Sequence, residues 1–150
     1  MHPIPILLPL VVGTGAILCT ILIHAMPVGV TIWFVRRERK IGHAGRNFWG
    51  DTIIVVPVVL LVMVAHLMEI ALWAIVFRLC GEFADLGTAY YYSAVNFTTL
   101  GSGDVLLSPH WRMLGPLEAA AGMLMFGVST AQVFTVIARL AQTRFADLKF

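Results

Sequence analysis

Charged side chains are scarce in this sequence. Only 12% of its 150 residues are Asp, Glu, Lys or Arg, and 59% are apolar. Soluble domains carry roughly 25% charged residues, so this chain has too few to cover a surface in water. That excludes an ordinary soluble globular domain. The net charge of +2 is too small to indicate a nucleic-acid partner, and the two cysteines are too few for a disulfide framework.

Three long apolar stretches account for most of the composition. They cover residues 3–35, 52–77 and 113–138, and each is long enough to cross a bilayer. The first would reach roughly 50 Å as one helix, against about 30 Å of hydrocarbon, so we expect it to break or tilt, with the break at Pro27. The sequence therefore predicts an all-α membrane protein with three transmembrane helices.

The basic residues are distributed unevenly around these stretches. Between the second and third stretches lie only Arg78 and Arg112. The other eight follow the first stretch or the third: Arg36, Arg37, Arg39, Lys40, Arg46, Arg139, Arg144 and Lys149. Since basic loops tend to remain in the cytoplasm, we expect a plasma (inner) membrane protein with its N-terminus outside and its C-terminus cytoplasmic. The basic loop either contacts anionic lipids of the bilayer or serves only as an orientation signal.

The segment between the second and third stretches has the pattern of a re-entrant element. Residues 86–98 are aromatic and apolar, and they are too few to span a membrane. Thr-Thr-Leu-Gly-Ser-Gly-Asp follows at residues 98–104, where the two glycines permit positive φ and so let successive carbonyl oxygens point to one side. Irregular backbone at membrane depth must be buried in protein or line a water-filled path. The pattern indicates a pore, and the alternative is a plain glycine turn between two helices.

Residues 98–104 resemble the filter of tetrameric potassium channels, which usually reads Thr-Thr-Val-Gly-Tyr-Gly-Asp. The aromatic pair Tyr91 and Tyr92 lies where that family has its pore-helix aromatics, and Gly122 lies where it has the hinge glycine of the inner helix. The resemblance covers residues 52–140. It implies a pore module of outer helix, pore helix, filter and inner helix, to which the first span is an addition.

We therefore divide the chain into residues 1–50, an N-terminal transmembrane helix with its basic cytoplasmic loop, and residues 51–150, an ion-channel pore domain. Since one pore loop supplies a quarter of such a filter, the resemblance implies a homotetramer. It also implies that the chain is not an enzyme, that it conducts K⁺ passively, and that it needs no cofactor besides the permeant ion.

The resemblance also implies a role for each matching residue. The ion would be coordinated by the hydroxyl and carbonyl of one residue and by the carbonyls of the next three, which are Thr99, Leu100, Gly101 and Ser102. The filter and its mouth would be supported by Thr98, Gly103, Asp104, Tyr91 and Tyr92. The gating hinge would be Gly122, and the residues near the cavity and inner constriction would be Thr130, Ala131, Phe134 and Ile137.

Two filter positions depart from the family pattern, with Leu100 in place of Val and Ser102 in place of Tyr. The second matters more, because the tyrosine ring normally packs outward against the pore-helix aromatics and keeps the filter narrow. Three functions therefore stay open. They are a potassium channel, a nonselective channel for Na⁺ and K⁺, and a non-conducting membrane scaffold or accessory subunit.

Ionisable residues inside the spans are costly in a bilayer, so they are candidates for a functional role. His66 and Glu69 are three residues apart on one helix face, and Glu118 of the third span should lie at comparable depth. We predict a buried polar cluster of these three behind the filter, which either senses pH or holds the helices together through hydrogen bonds. A membrane-embedded metalloenzyme, with a metal held by His24 of the first span, His66 and Glu69, is a further alternative. It is disfavoured because His66-x-x-Glu69 lacks the second and third ligands at helical spacing.

Overall fold

The structure is a computed structural model that describes residues 6–42, 48–101 and 103–144. Four helices form in these ranges: α1 (Leu7–Ile41), α2 (Phe48–Leu79), α3 (Leu86–Phe97) and α4 (Leu114–Arg144). Three of them, α1, α2 and α4, are long and apolar enough to cross a membrane. This confirms the prediction of an all-α protein with three membrane-spanning helices and a short helix between the second and third.

The helix α1 does not break at Pro27. It continues to Ile41 and ends at Gly42, whose φ of 78° is left-handed and whose N–H is donated to the Arg39 carbonyl. The expected break is therefore wrong. Proline is tolerated in membrane helices where neighbours satisfy nearby polar groups, and here Gln132 of α4 donates its Nε2 hydrogens to the Pro27 carbonyl and to Thr31 Oγ1, at 3.4 and 2.7 Å.

The helix α1 packs against α2 and α4 through a narrow stripe of mostly small or polar residues. The stripe comprises Pro9, Gly13, Ala16, Thr20, His24, Pro27 and Thr31. Their spacing of three and four residues keeps them on one helix face. Small residues let membrane helices approach closely, and a Cβ on Gly13 would press against the Leu117 side chain of α4.

The short helix α3 packs between α2 and α4, where the main apolar core lies. Trp73 and Phe77 of α2, Phe97 of α3 and Leu114 of α4 are all 0% exposed. The ring of Tyr92 packs edge-on against Phe77, with the ring centroids 5.1 Å apart. Aromatic packing on α2 therefore holds α3 in place, with its last residue against α4 at Gly122.

Candidate functional site

The helix α3 begins with a capping aspartate. Oδ2 of Asp85 accepts the backbone N–H of Thr88 at 2.8 Å and the Thr88 hydroxyl at 3.2 Å. Such a cap satisfies one of the N–H groups that a helix N-terminus leaves without a partner. The N–H of Thr88, followed by that of Gly87, lowers the pKa of the Asp85 carboxyl below its ordinary value, because both favour the charged form.

At the other end of α3 the chain turns back on its last carbonyls. The N–H of Thr99 is donated to Asn96 O at 2.9 Å, and the N–H groups of Leu100 and Gly101 are both donated to Val95 O, at 2.9 and 3.4 Å. The N–H groups of Thr99, Leu100 and Gly101 therefore all donate to carbonyl oxygens of α3.

Several residues after α3 have a positive φ angle. Thr99, Gly101 and Gly103 have φ of 59°, 62° and 73°, while Leu100 has a negative φ. From Thr99 to Gly101 the sign of φ therefore alternates, and such alternation turns successive N–H groups to one side and carbonyl oxygens to the other. The sequence predicted positive φ at the glycines, and the structure adds Thr99, a β-branched residue for which this region is strained. Ser102 lies outside the described residues.

The residues of this segment are uncovered in the single chain. Thr98, Thr99, Gly101 and Gly103 are exposed, and Leu100 has 74% of its surface exposed. Irregular backbone with free polar groups is not stable against lipid, so it must face water or another protein surface.

The two tyrosines of α3 have different surroundings. The exposed Tyr91 donates its hydroxyl hydrogen to Asp104 Oδ2 at 3.2 Å, which ties the end of the glycine segment to α3. Tyr92 lies on the core side, against Phe77 and Phe83. The return loop is held in turn by Ser108, whose N–H and hydroxyl both donate to the Glu82 carboxylate, at 2.6 and 2.7 Å.

Glu118 is fully buried and joins α4 to α3. Its carboxyl oxygens lie 2.5 Å from the Ser93 hydroxyl and 2.7 Å from the Asn96 amide nitrogen. Ser93 also contacts the Ile70 carbonyl at 2.8 Å, so the group links α2 as well. The structure places Glu118 here, with the polar face of α3, and not with His66 and Glu69.

His66 and Glu69 lie together, as their spacing predicted, but their other partners come from α1 and α4. Glu69 Oε1 is 2.8 Å from His24 Nδ1, and Glu69 Oε2 is 2.9 Å from His66 Nδ1. Ser129 Oγ is 3.1 Å from His24 Nε2 and 2.9 Å from His66 Nε2. We define these four buried residues as the His–Glu cluster. Sequence reasoning missed Ser129, for which no local pattern gives a signal, and it joined His24 to His66 and Glu69 only in the metal reading that it disfavoured.

On α4, Gly122 is buried against the carbonyl of Phe97, the last residue of α3, and a Cβ at position 122 would overlap that oxygen. The predicted cavity residues lie further along. Thr130, Phe134 and Ile137 are exposed and recur every three or four residues, so they share one face of α4, with Ala131 exposed beside them. The structure thus groups the predicted cavity residues and separates Gly122 from them.

A model of the ion channel family matches residues 65–139. The match starts in α2 and includes α3, the segment of alternating φ and most of α4, but it leaves out α1. Neither a curated protein nor a solved structure matches the chain significantly.

Proposed function

The chain belongs to the ion channel family, and we propose that it conducts K⁺ passively through a filter of backbone carbonyls shared by four copies. With its three apolar helices it is an integral, multi-pass membrane protein. The observation that carries the potassium proposal is the positive φ of Thr99, Gly101 and Gly103, directly after a helix that is too short to span.

A filter must replace the water around a cation with oxygen atoms of the protein. The hydrogen bonds of Thr99, Leu100 and Gly101 to α3 leave the carbonyl oxygens of the same segment for the ion. Thr99 would add its hydroxyl, and the Ser102 carbonyl, which the filter resemblance assigns to the ion, would be the fourth. The C-terminal end of α3 carries a partial negative charge that favours a cation at this point, and Asp104, held by Tyr91, supplies a carboxylate at the mouth.

Four copies around one axis would enclose such a path. Two surfaces would line it: the uncovered residues 98–101 and 103, and the exposed face of α4 that bears Thr130, Phe134 and Ile137. Gly122 would be the point at which α4 bends. Native mass spectrometry of the purified chain should give a tetramer, and a species that stops at the dimer would overturn the shared filter.

The positions of the basic residues support a cytoplasmic C-terminus in the plasma membrane. Arg144 at the end of α4 forms an ion pair with Asp51 at the start of α2, so these two helix ends lie at the same end of the bundle. Arg78 lies in the last turn of α2 and Arg112 lies two residues before α4, both at the opposite end of the bundle. Of the basic residues counted above, Arg46 and Lys149 lie outside the described residues.

The filter is tested by potassium flux into liposomes. Gly101→Ala should abolish the flux, because alanine does not readily adopt φ of 62° and the carbonyl ladder would be disturbed. Gly15→Ala is the matched control, since a Cβ there meets nothing within 4 Å and the residue is in α1. Unchanged flux in Gly101→Ala would reject the carbonyl assignment.

A nonselective cation channel is the second candidate, and the presence of Ser102 at the usual tyrosine position favours it. Comparing potassium with sodium flux decides between the two. Ser102→Tyr should raise the preference for potassium if the ring is what keeps the filter narrow. No flux of either cation from a protein shown to be tetrameric would instead indicate a scaffold or accessory subunit.

A further inference from the structure

The His–Glu cluster joins all three membrane-spanning helices at one point. His24 comes from α1, His66 and Glu69 from α2, and Ser129 from α4. Glu69 contacts the Nδ1 atoms of both imidazoles on one side, and Ser129 contacts both Nε2 atoms on the other. The cluster is therefore a closed ring of four side chains, and none of its members is more than 5% exposed.

The hydrogens available to this ring decide what it can bind. Ser129 also donates to the backbone carbonyl of Met125, at 2.8 Å, and a hydroxyl has only one hydrogen. When that hydrogen is donated to the Met125 carbonyl, the Ser129 oxygen accepts from both imidazoles, so that Nε2 of His24 and Nε2 of His66 each carry a hydrogen. In a neutral imidazole the other nitrogen then has a lone pair and no hydrogen. Both Nδ1 atoms of that form face the Glu69 carboxylate as acceptors.

Two imidazole lone pairs and a carboxylate that face one another need a cation between them. The three ligand atoms, one from each residue, all lie within 4.8 Å of one another. Neutral imidazole and carboxylate are the ligands of zinc and of neighbouring divalent transition metals. Additional protons on the imidazoles are the other way to satisfy the ring, and they would compete with the metal for the same nitrogens.

We propose that His24 Nδ1, His66 Nδ1 and a Glu69 carboxyl oxygen form a binding site for a divalent transition metal of the Zn²⁺ class. Ser129 lies outside this ligand set and orients both rings through their Nε2 hydrogens, which is a common arrangement around metal-bound histidines. With the metal bound, every hydrogen-bond contact of the ring is satisfied by neutral imidazoles and a single serine hydrogen. The metal occupies the space now spanned by the two Nδ1–carboxyl contacts.

The surroundings provide both an enclosure and an approach. The His66 ring lies against Phe126 and Phe97, with centroid separations of 4.5 and 6.0 Å, which shields one side from water. A groove of about 460 Å³ between α2 and α4 reaches His66 and Ser129 from the side of Thr130 and Phe134. Those two residues belong to the face proposed to line the ion pathway, so the metal would enter from that side.

The site would also fix α1 to the pore module. Phe97 is the last residue of α3, and its ring packs near His66 at the point where the alternating segment begins. A bound metal would therefore hold α1, α2 and α4 together directly beneath the end of α3. The ligands and the geometry of this site do not depend on which cation the filter conducts, so metal binding and ion flux can fail independently.

The test is titration of the full-length chain in detergent with Co²⁺ alone, followed by its visible absorption. We expect saturable binding with the intense absorption of a low-symmetry Co²⁺ site, and displacement of that signal by Zn²⁺. His24→Gln, His66→Gln and Glu69→Gln should each weaken binding by about tenfold or more, and Ser129→Ala by about tenfold, as is typical when a residue that orients a ligand is removed. His110→Gln is the matched control, because this exposed histidine lies in the outer loop.

A second measurement separates loss of the site from loss of the fold. Zn²⁺ should raise the unfolding temperature of the wild type but not that of His24→Gln, provided that circular dichroism gives this variant the same helix content. Absence of a saturable Co²⁺ signal in the wild type would overturn the proposal. Equal binding by the wild type and by folded His24→Gln or Glu69→Gln would overturn it as well.

Discussion

The carbonyl oxygen of Phe97 occupies the space that a Cβ on Gly122 would need. The last residue of α3 thus touches the backbone of α4. Because Gly122 has no side chain, α3 can approach α4 here, and this contact fixes the position along α4 at which the alternating segment begins. Gly122 was predicted as a hinge from its resemblance to a family pattern. The close approach supplies a separate physical reason for glycine at this position, and the two reasons make different predictions.

Gly122→Ala should destabilise the protein by about 1–3 kcal/mol, because overpacking a buried contact against backbone forces one helix to move. Gly127→Ala is the matched control on the same helix, since a Cβ there meets nothing within 4 Å. Thermal unfolding of the two variants in detergent measures the difference. If Gly122 acted only as a hinge, both variants would unfold at nearly the wild-type temperature and Gly122→Ala would change gating alone.

Glu118→Gln should be tolerated, whereas Glu118→Ala should cost about 1–3 kcal/mol through the loss of buried hydrogen bonds, with a further cost for the cavity. The single hydrogen of Ser93 faces two acceptors, the Ile70 carbonyl and Glu118. A glutamine amide can donate to Ser93 and still accept from Asn96, so every contact survives the first change. Unfolding temperatures provide the measurement, and a large loss in the glutamine variant would mean that the negative charge itself is required.

The contribution of Asp85 to stability should depend on pH. Hydrogen bonds from Thr88 and Gly87 lower its pKa in the folded protein, so the stabilisation is present above the unfolded pKa and is lost as the pH falls through the lower, folded value. Asp85→Asn keeps a capping side chain but no titrating group.

Unfolding temperatures of the wild type and of Asp85→Asn, measured from neutral pH downwards, check this prediction. The wild type should lose stability relative to the variant only at acidic pH, below the ordinary range of an aspartate. A constant difference at every pH would mean that the carboxyl does not titrate differently in the folded and unfolded states.

The parts of the fold that were predictable depend on local composition. The apolar lengths of α1, α2 and α4 predicted three spans, and the aromatic stretch from Leu86 predicted α3, because burial of apolar side chains in a bilayer depends on composition and length alone. The ends of the helices were less predictable. Backbone hydrogen bonding carries α1 beyond its apolar stretch to Ile41, and it continues past Pro27 because α4 provides polar contacts there.

The partners of the buried polar residues were not predictable in the same way. Spacing along one helix placed His66 beside Glu69, since residues three apart share a face. The third partner was predicted wrongly as Glu118, and the structure has His24 there instead. This partner depends on the relative depth and rotation of separate helices. In the structure Glu118 contacts Ser93 and Asn96. His24 and Ser129 instead contact the His66 and Glu69 pair of α2.

By itself, the sequence determined that the chain enters a membrane, that three helices can cross it, and that a glycine-containing segment follows a helix too short to cross. Each of these depends on side-chain type and on distance along the chain. The tertiary structure decided what meets across helices: the contact of Phe97 with Gly122, the left-handed φ of Thr99, and the ring that joins His24 to Glu69 and Ser129. These contacts depend on the rotation and relative depth of separate helices. Packing of small residues and hydrogen bonding of buried polar groups decide that arrangement, and local sequence does not specify it.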